Sequence, residues 1–334
     1  MIFTVRNTLN AVAIVAATSM SGAAQAQSVS WDLSNDYAAS SLPGQADKIF
    51  ADKLSELTGG GVSVTLHHGG ALGYKSQDVF DVVRTGAVQL GNASTAFWGG
   101  IDPIFRVSSL PFLLASSDEA ILLYEAARPE YERVLADNNQ ILLYTAPWPP
   151  SGIWANEPID SLENVKGLKI RSYDATSTST LAALGASPVQ LAWGDVVPQL
   201  AANGISAVLT SAEGGVGAQF WEHLNHFTEI NYAMPLSMAT LNKDAFDALS
   251  AEQQDAVKAA AKAAEDFAWQ ALSARTEQNY ATLAGHGVAV VNDLSLDYVG
   301  ALIASGTASH DAWTAEMGDA GSKILADFKN AAGR

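Results

Sequence analysis

Cysteine is absent from this 334-residue chain, and basic side chains are scarce, with 18 Lys and Arg against 35 Asp and Glu. The absence of cysteine excludes disulfides, thiol catalysis, zinc–thiolate sites and cysteine-ligated iron–sulfur clusters. The formal net charge of −17 argues against a nucleic-acid partner, because such proteins need a basic surface. Hydrophobic residues make up 48%, so the chain can bury the core of one large or two medium domains.

Long hydrophobic runs are also lacking, and the apolar stretch near the N-terminus has the organisation of a secretory signal peptide. Arg6 is the only charged residue before Asp32, and it precedes an alanine-rich apolar stretch over 9–17. Residues 24–26 (AQA) form an A-x-A cleavage site. The apolar run is shorter than the ~20 residues of a membrane-spanning helix. We predict cleavage after Ala26 and a soluble protein exported to the periplasm; a short N-terminal helix is the alternative.

Beyond residue 28, strand and helix patterns alternate, which predicts parallel sheets in an α/β fold. After residue 242 the pattern is almost wholly helical, and the capping box formed by Ser250 and Gln253 precedes an alanine-rich helix that reaches about Ala284. A helix of that length crosses a whole domain. Predicted strands cover 29–33, 62–66, 89–93, 141–145, 168–172, 189–191 and 207–210.

The pattern predicts two lobes with a cleft between them. Residues 1–26 are the predicted signal peptide, 27–147 mainly the first lobe and 148–240 mainly the second. Residues 241–334 are expected to form the long helix and C-terminal helices, with segments that return to both lobes. The proline-rich run at 147–150 is a candidate connection between the lobes.

Three motifs that could suggest enzymatic or metal chemistry are incomplete. Residues 67–70 (HHGG) resemble a lipase oxyanion-hole segment, but no G-x-S-x-G elbow occurs, so we expect strand-end histidines before a glycine turn. His223 and His226 lack the H-E-x-x-H pattern, so we expect a surface helix and no metal. Residues 214–217 (GGVG) are no phosphate loop and indicate a ligand near the backbone or a simple turn. We predict no catalytic residue and no cofactor; an exported hydrolase or lyase is the alternative.

Arg171 is the most informative polar residue. It ends a predicted strand, and the carboxyl ends of strands are where open α/β sheets bind ligands. Arginine offers a planar pair of donors to a carboxylate or sulfonate, although a surface ion pair is the alternative. Trp148, Trp154 and Trp193 flank the predicted cleft. They either pack in the core or form an aromatic wall around a small organic anion.

The segment around Arg171 resembles a known family. Residues 162–172 (LENVKGLKIRS) resemble the signature of DctP-type solute receptors of tripartite ATP-independent periplasmic (TRAP) transporters. Further segments resemble the family in register, and together they are specific and cover essentially all of 28–330. These segments are 70–73, 84–86, 184–188, 193–196, 200–204, 241–243 and 249–254.

The resemblance implies a two-lobed α/β periplasmic binding protein fold with a long helix spanning both lobes. Such lobes close on a ligand by hinge motion. It also implies a monomeric receptor that delivers a small organic anion to a membrane permease and catalyses nothing. Similar receptors that serve a sensor kinase or an ATP-driven transporter are the alternative.

The resemblance also implies roles for single residues. Arg171 matches the arginine that pairs with the ligand carboxylate, and Trp193 matches an aromatic residue that packs on the ligand. Thr210 stands where many members place a ligand-binding asparagine, and Ser211 follows it. Ser94 stands where sugar-acid receptors carry an acidic residue.

Other matching positions bear on the kind of ligand. Asp36 and Tyr37 match the first ligand-contacting loop, with a register uncertainty of about one residue. Ser151 replaces a second arginine that many members carry in the crossing segment, which argues against a dicarboxylate held at both ends. Trp148 and Tyr173 would make the pocket more apolar. We therefore predict a monoanion with an apolar or aromatic body; a dicarboxylate, 2-oxo acid, sulfonate or sugar acid is the alternative.

Overall fold

A computed structural model describes residues 1–2 and 28–334. The predicted cleavage site after Ala26 and nearly all of the predicted signal peptide lie outside the described residues. The strands are β1 (Val29–Asn35), β2 (Val62–His67), β3 (Leu90–Ser94), β4 (Gln140–Pro147), β5 (Ser151–Ala155), β6 (Lys169–Ser172), β7 (Ser187–Gln190), β8 (Ala207–Ser211), β9 (His226–Thr228), β10 (Leu236–Asn242) and β11 (Ala289–Val291). The helices are α1 (Leu42–Leu57), α2 (Ser76–Arg84), α3 (Ser117–Asp137), α4 (Leu162–Val165), α5 (Ala175–Ala183), α6 (Val196–Ala201), α7 (Ala212–Gly217), α8 (Lys243–Asp247), α9 (Ala251–Gly285) and α10 (Leu296–Ala331).

Within the described residues these strands form two sheets, which confirms the predicted two-lobed α/β fold. The first sheet has the order β2-β1-β3-β10-β4, and the second has the order β11-β9-β5-β8-β6-β7. In the first, β1 is parallel to β2 and β3, and β10 is antiparallel to β3 and β4. In the second, β6 is parallel to β7 and β8, and β5 is antiparallel to β8 and β9. We call each sheet with its packed helices lobe 1 and lobe 2, respectively.

Two segments that cross between the lobes run side by side. The proline-rich run at 147–150 takes the chain from β4 to β5, and the chain returns to lobe 1 where β10 begins, at Leu236. This return comes before the predicted boundary at residue 240. The two crossings are tied together by a backbone hydrogen bond in which the Trp148 N–H donates to the Pro235 oxygen, at 2.9 Å.

Helix α1 shows how local sequence sets an element boundary in lobe 1. The Ser41 side chain accepts a hydrogen bond from the Gly44 N–H and caps the helix, and proline stands in the first turn. Phe50 and Leu54 are fully buried one turn apart, which fixes the face that packs on lobe 1. The helix ends before Gly59, whose φ of 57° is the left-handed conformation that glycine tolerates.

Helix α9 joins the two lobes, as the sequence predicts. Its 35 residues correspond to about 52 Å of rise. The predicted capping box is present, with the Ser250 hydroxyl accepting from the Gln253 N–H. Val257 and Ala264 are buried in the core of lobe 1, whereas Leu283 is buried in the core of lobe 2. No helix in the described part of the chain combines the length and apolarity needed to cross a membrane.

The two histidine motifs fold differently from each other. His67 ends β2, and the glycines of 69–70 turn the chain with φ of 67° and 71°, as predicted. The predicted surface helix at His223 and His226 is wrong, because His226 begins β9, which pairs with β5 and β11. The physical reason is Phe227, which is fully buried against lobe 2 when this segment is extended between two strands. Three or more metal-ligating side chains do not come together anywhere in residues 28–334.

Candidate functional site

A small cavity of about 40 Å³ lies between the lobes. Nine of the ten residues predicted from the sequence line it, and Asp36 is the exception. The lining residues are Tyr37, Ser94, Phe97, Trp148, Ser151, Arg171, Tyr173, Trp193, Thr210, Ser211, Gly214 and Pro235.

Strand ends bring the polar lining residues together. Arg171 lies next to the last residue of β6, and Ser211 ends β8, which pairs in parallel with β6. Ser94 ends β3 in lobe 1. The carboxyl ends of parallel strands share one edge of a sheet, and the edges of both sheets face the cleft. Ser151 begins β5, directly after the first crossing segment.

Arg171 is held rigidly inside this cavity. The residue is only 2% exposed. The Nε–H donates to the Leu191 oxygen at 3.2 Å, and an Nη1–H donates to the Leu209 oxygen at 3.1 Å. Two of the five guanidinium N–H groups are thus used, which leaves three for another partner. No acidic residue is among the residues that line the cavity.

This environment makes Arg171 an unpaired buried cation. Burial lowers the pKa of Arg171 to about 10, so the side chain still carries its charge at neutral pH. Nearby tyrosines and carboxylates, first among them Tyr37 and Tyr173, raise the pKa of Arg171 and so oppose the effect of burial. A buried charge without a counter-charge is costly, so a bound anion would lower the free energy of the site.

Aromatic rings form the remaining walls. The Arg171 Cζ atom lies 5.6 Å from the centre of the Tyr173 ring and 5.7 Å from that of Trp193. The Tyr37 ring centre is 4.7 Å from that of Trp148 and 5.7 Å from that of Trp193. Trp148 is fixed in place because its Nε1–H donates to the Ser237 hydroxyl at 3.0 Å. The cavity therefore combines one cation with a mostly apolar surface.

The glycine motif at 214–217 serves the close packing of two tryptophans. It lies within α7. A Cβ atom on Gly214 would lie 3.1 Å from Cη2 of Trp193, and one on Gly215 would lie 1.9 Å from Cζ2 of Trp154. Of the two alternatives for Trp154, packing in the core is the one that the structure shows, because this side chain is fully buried in the lobe 2 core.

Asp36 does not line the cavity. Its carboxylate accepts hydrogen bonds from the Ser76 N–H at 3.1 Å and from the Ser76 hydroxyl at 2.7 Å, at the start of α2. Burial raises the pKa of Asp36 despite these bonds. Its neighbour Tyr37 faces the cavity instead.

Sequence reasoning missed Phe97 and Pro235. Phe97 lies in the 3-10 turn Thr95–Trp98 directly after Ser94, so its position after a strand end could have indicated it. Pro235 lies in the second crossing segment, and it reaches the cavity because β10 returns to lobe 1. A return over so long a chain distance leaves no local sequence signal.

An ion pair joins the lobes beside Trp193. The Lys75 ammonium lies 2.8 Å from the Asp195 carboxylate, with Lys75 at the start of α2 in lobe 1 and Asp195 two residues after Trp193 in lobe 2. The hydrogen bond that the Lys75 ammonium donates to Asp195 raises the pKa of Lys75. Both side chains are about half exposed, so the pair contributes little to stability. It shows that the lobes are in contact across the cleft in this structure.

Asp174, next to the cavity-lining Tyr173, should make stability depend on pH. Burial raises its pKa to about 6, and only one of its carboxylate oxygens has a hydrogen-bond partner, the Ser177 N–H at 2.6 Å. A raised carboxyl pKa favours the native state at low pH. This contribution is lost as the pH rises from about 4 through about 6.

Asp174→Asn keeps the capping oxygen and removes this titration. From pH 4 to pH 7.5, we expect the free energy of unfolding of the variant to rise relative to that of wild type by up to about 3 kcal/mol. Each pKa unit corresponds to about 1.4 kcal/mol. Chemical denaturation of both proteins at the two pH values measures the difference, in which all other titrating groups cancel. A difference that is the same at both pH values would contradict the prediction.

The chain is similar to known proteins in both sequence and structure. Residues 33–297 match the model of a family described as bacterial extracellular solute-binding protein, family 7, or DctP. The chain is 30% identical to DctP7 of Bordetella pertussis, an extracytoplasmic solute receptor binding pyroglutamic acid, with a TM-score of 0.87 over 90% of this chain and 100% of that chain.

Two further relatives are also solute-binding proteins. A TRAP solute binding protein specific for pyroglutamate, from an unidentified microbe of a marine metagenome, is 29% identical with a TM-score of 0.86, over 91% of this chain and 99% of that chain. The ectoine-binding periplasmic protein TeaA of Halomonas elongata is 24% identical over 295 residues, which are 85% of this chain and 84% of TeaA.

Proposed function

The chain belongs to the bacterial extracellular solute-binding proteins of family 7 and is a DctP-type TRAP solute receptor, and from this premise we propose that it binds a small monocarboxylate with a compact, largely apolar body. The observation that carries the proposal is the unpaired guanidinium of Arg171, buried in a cavity without acidic lining residues. Its free N–H groups suit the two oxygens of one carboxylate.

The size and lining of the cavity favour one charge on the ligand. Arg171 is the only cation among the lining residues, so a second carboxylate would be buried without a counter-charge. The hydroxyls of Ser94, Ser151 and Thr210 can bond a few polar atoms, whereas a sugar acid presents many more. Two solved relatives bind pyroglutamate, a compact cyclic monocarboxylate. Pyroglutamate is therefore the first compound to test.

We further propose that the receptor works in the periplasm as a monomer and hands its solute to a TRAP permease without changing it. The lobes would close around the solute and open at the permease, since a ligand that touches both lobes favours the closed state. Tyr37 of lobe 1 and Trp193 of lobe 2 line the same cavity, so one small molecule can contact both lobes.

A thermal-shift series tests this proposal. We expect pyroglutamate at about 100 times its Kd to stabilise the protein by about 2.7 kcal/mol, which raises the Tm by roughly 5 °C. Succinate, glucuronate and ethanesulfonate at the same concentration represent a dicarboxylate, a sugar acid and a sulfonate, and each should shift the Tm less. A larger shift with succinate or glucuronate would overturn the monocarboxylate proposal. Recovery of a chemically altered compound would contradict the absence of catalysis.

A further inference from the structure

Next to the cavity-lining Gly214 in the chain is a further buried carboxylate, that of Glu213, which is 1% exposed. Its Oε1 accepts from the Leu42 N–H at 2.9 Å and from Arg275 Nη2 at 2.8 Å. Its Oε2 accepts from Arg275 Nε and from Asn279 Nδ2, both at 2.7 Å. Four donors thus surround one carboxylate, which is what a buried anion requires.

These donors come from different parts of the molecule. Glu213 lies on α7 in lobe 2, and Leu42 is the first residue of α1 in lobe 1. Arg275 and Asn279 lie on α9, the helix that packs on both lobes. Arg275 also donates from Nη2 to the backbone oxygen of Ser40, at the end of the lobe 1 loop. The network therefore fixes lobe 1, lobe 2 and the joining helix to one another.

The segments joined in this way also line the cavity. Glu213 stands between Ser211 and Gly214, which both face the cavity from lobe 2. The lobe 1 loop that ends at Leu42 begins next to Tyr37, which faces the cavity from the other side. A ligand that draws these two walls together would also bring Leu42 to Glu213.

We propose that Glu213 is a positioning residue that couples ligand binding to closure of the lobes. This inference rests on the proposed receptor function and adds a residue that does not line the cavity. When the lobes separate, the Leu42 N–H and the Arg275 contact with Ser40 move away, and the buried carboxylate keeps fewer donors. The closed state is thereby favoured, and the two cavity walls are held at the spacing that a ligand needs.

Glu265, which lies on α9 with Arg275 and Asn279, provides a matched control for Glu213. Its carboxylate also accepts four hydrogen bonds, from Tyr124, Arg128 and the Thr145 backbone and hydroxyl, and it is 15% exposed. All of these partners belong to α3 and β4 in lobe 1. Glu265→Gln therefore makes the same chemical change in a network that does not cross between the lobes.

Titration calorimetry with pyroglutamate compares wild type, Glu213→Gln and Glu265→Gln. We expect Glu213→Gln to raise the Kd at least tenfold and Glu265→Gln to change it less than twofold, while both variants lower the Tm. Equal affinity of Glu213→Gln and wild type, or an equal loss in both variants, would overturn the proposal.

Interlobe distances give a readout that a purely stabilising residue would not change. Because the chain has no cysteine, Leu57→Cys in lobe 1 and Glu163→Cys in lobe 2 can each carry one spin label, and both sites are exposed. With or without pyroglutamate, we expect longer distances in Glu213→Gln than in wild type and Glu265→Gln. If wild type fails to bind pyroglutamate, the proposed ligand is wrong, and the distances still decide the role of Glu213. Identical distance distributions in all three proteins would overturn the proposed role of Glu213.

Discussion

Replacing Arg171 with methionine is expected to raise the Kd of the ligand by about 100-fold or more. Removing one partner of a buried, hydrogen-bonded charge pair costs about 2–5 kcal/mol of binding free energy, and each 1.4 kcal/mol is a factor of ten. Arg171 is 2% exposed and is the only cation among the residues that line the cavity, so no other lining residue can replace its charge. Titration calorimetry of wild type and variant with the same ligand measures the effect.

The stability of the ligand-free variant separates a binding role from a structural one. Because the buried guanidinium has no counter-charge, an apolar side chain of similar length should leave the Tm unchanged or raise it. Arg171→Lys is the control that keeps the charge but loses the planar pair of donors, and we expect it to bind with intermediate affinity. Undiminished binding by the methionine variant would remove Arg171 from the site.

Gly215→Ala is expected to destabilise the protein by about 3 kcal/mol, which lowers the Tm by roughly 5 °C. The added Cβ would lie 1.9 Å from Cζ2 of Trp154, and something must move. Trp154 cannot retreat, because Phe220 and Phe227 pack against it with ring centres 5.5 Å and 5.3 Å away. Denaturant unfolding measures the loss.

Gly217→Ala is the matched control in the same short helix. A Cβ at this exposed position would meet only the Ala38 Cβ, at 4.0 Å. Since alanine is a better helix former than glycine, we expect the stability of Gly217→Ala to lie within about 1 kcal/mol of wild type. Equal stability of the two alanine variants would contradict the close packing of Gly215 against Trp154.

The sequence predicts the site well where chain position alone decides the contact. Arg171 and Ser211 lie at the ends of neighbouring parallel strands, so their meeting follows from the strand pattern. Ser151 follows a proline-rich run that cannot continue a strand, and it therefore stands where the chain enters lobe 2. The long helix follows from its capping box and its alanine-rich length.

Local sequence patterns did not predict the contacts between segments that are far apart in the chain. The strand at His226 looked helical because the burial of Phe227 depends on strands that come earlier and later in the chain. Pro235 reaches the cavity only because β10 inserts between β3 and β4. Asp36 and Tyr37 are adjacent, and the hydrogen bonds that Asp36 accepts from Ser76, far along the chain, hold its carboxylate away from the cavity.

The acidity of the chain does not conflict with an anionic ligand. A net charge of −17 opposes the approach of an anion from a distance. At physiological salt, charges are screened over about 8–10 Å, so groups near the cavity matter most. Arg171 acts from inside the cavity, where burial strengthens its attraction for a bound carboxylate. Local chemistry therefore sets the affinity.

The most direct test of the account compares pyroglutamate with its neutral amide by titration calorimetry. The two compounds share the ring and differ in the charge that Arg171 would bind. The account predicts saturable binding of the acid and binding of the amide that is weaker by about 100-fold or more, which corresponds to about 2.8 kcal/mol. Equal affinity for acid and amide would contradict the claim that the unpaired buried arginine selects the ligand.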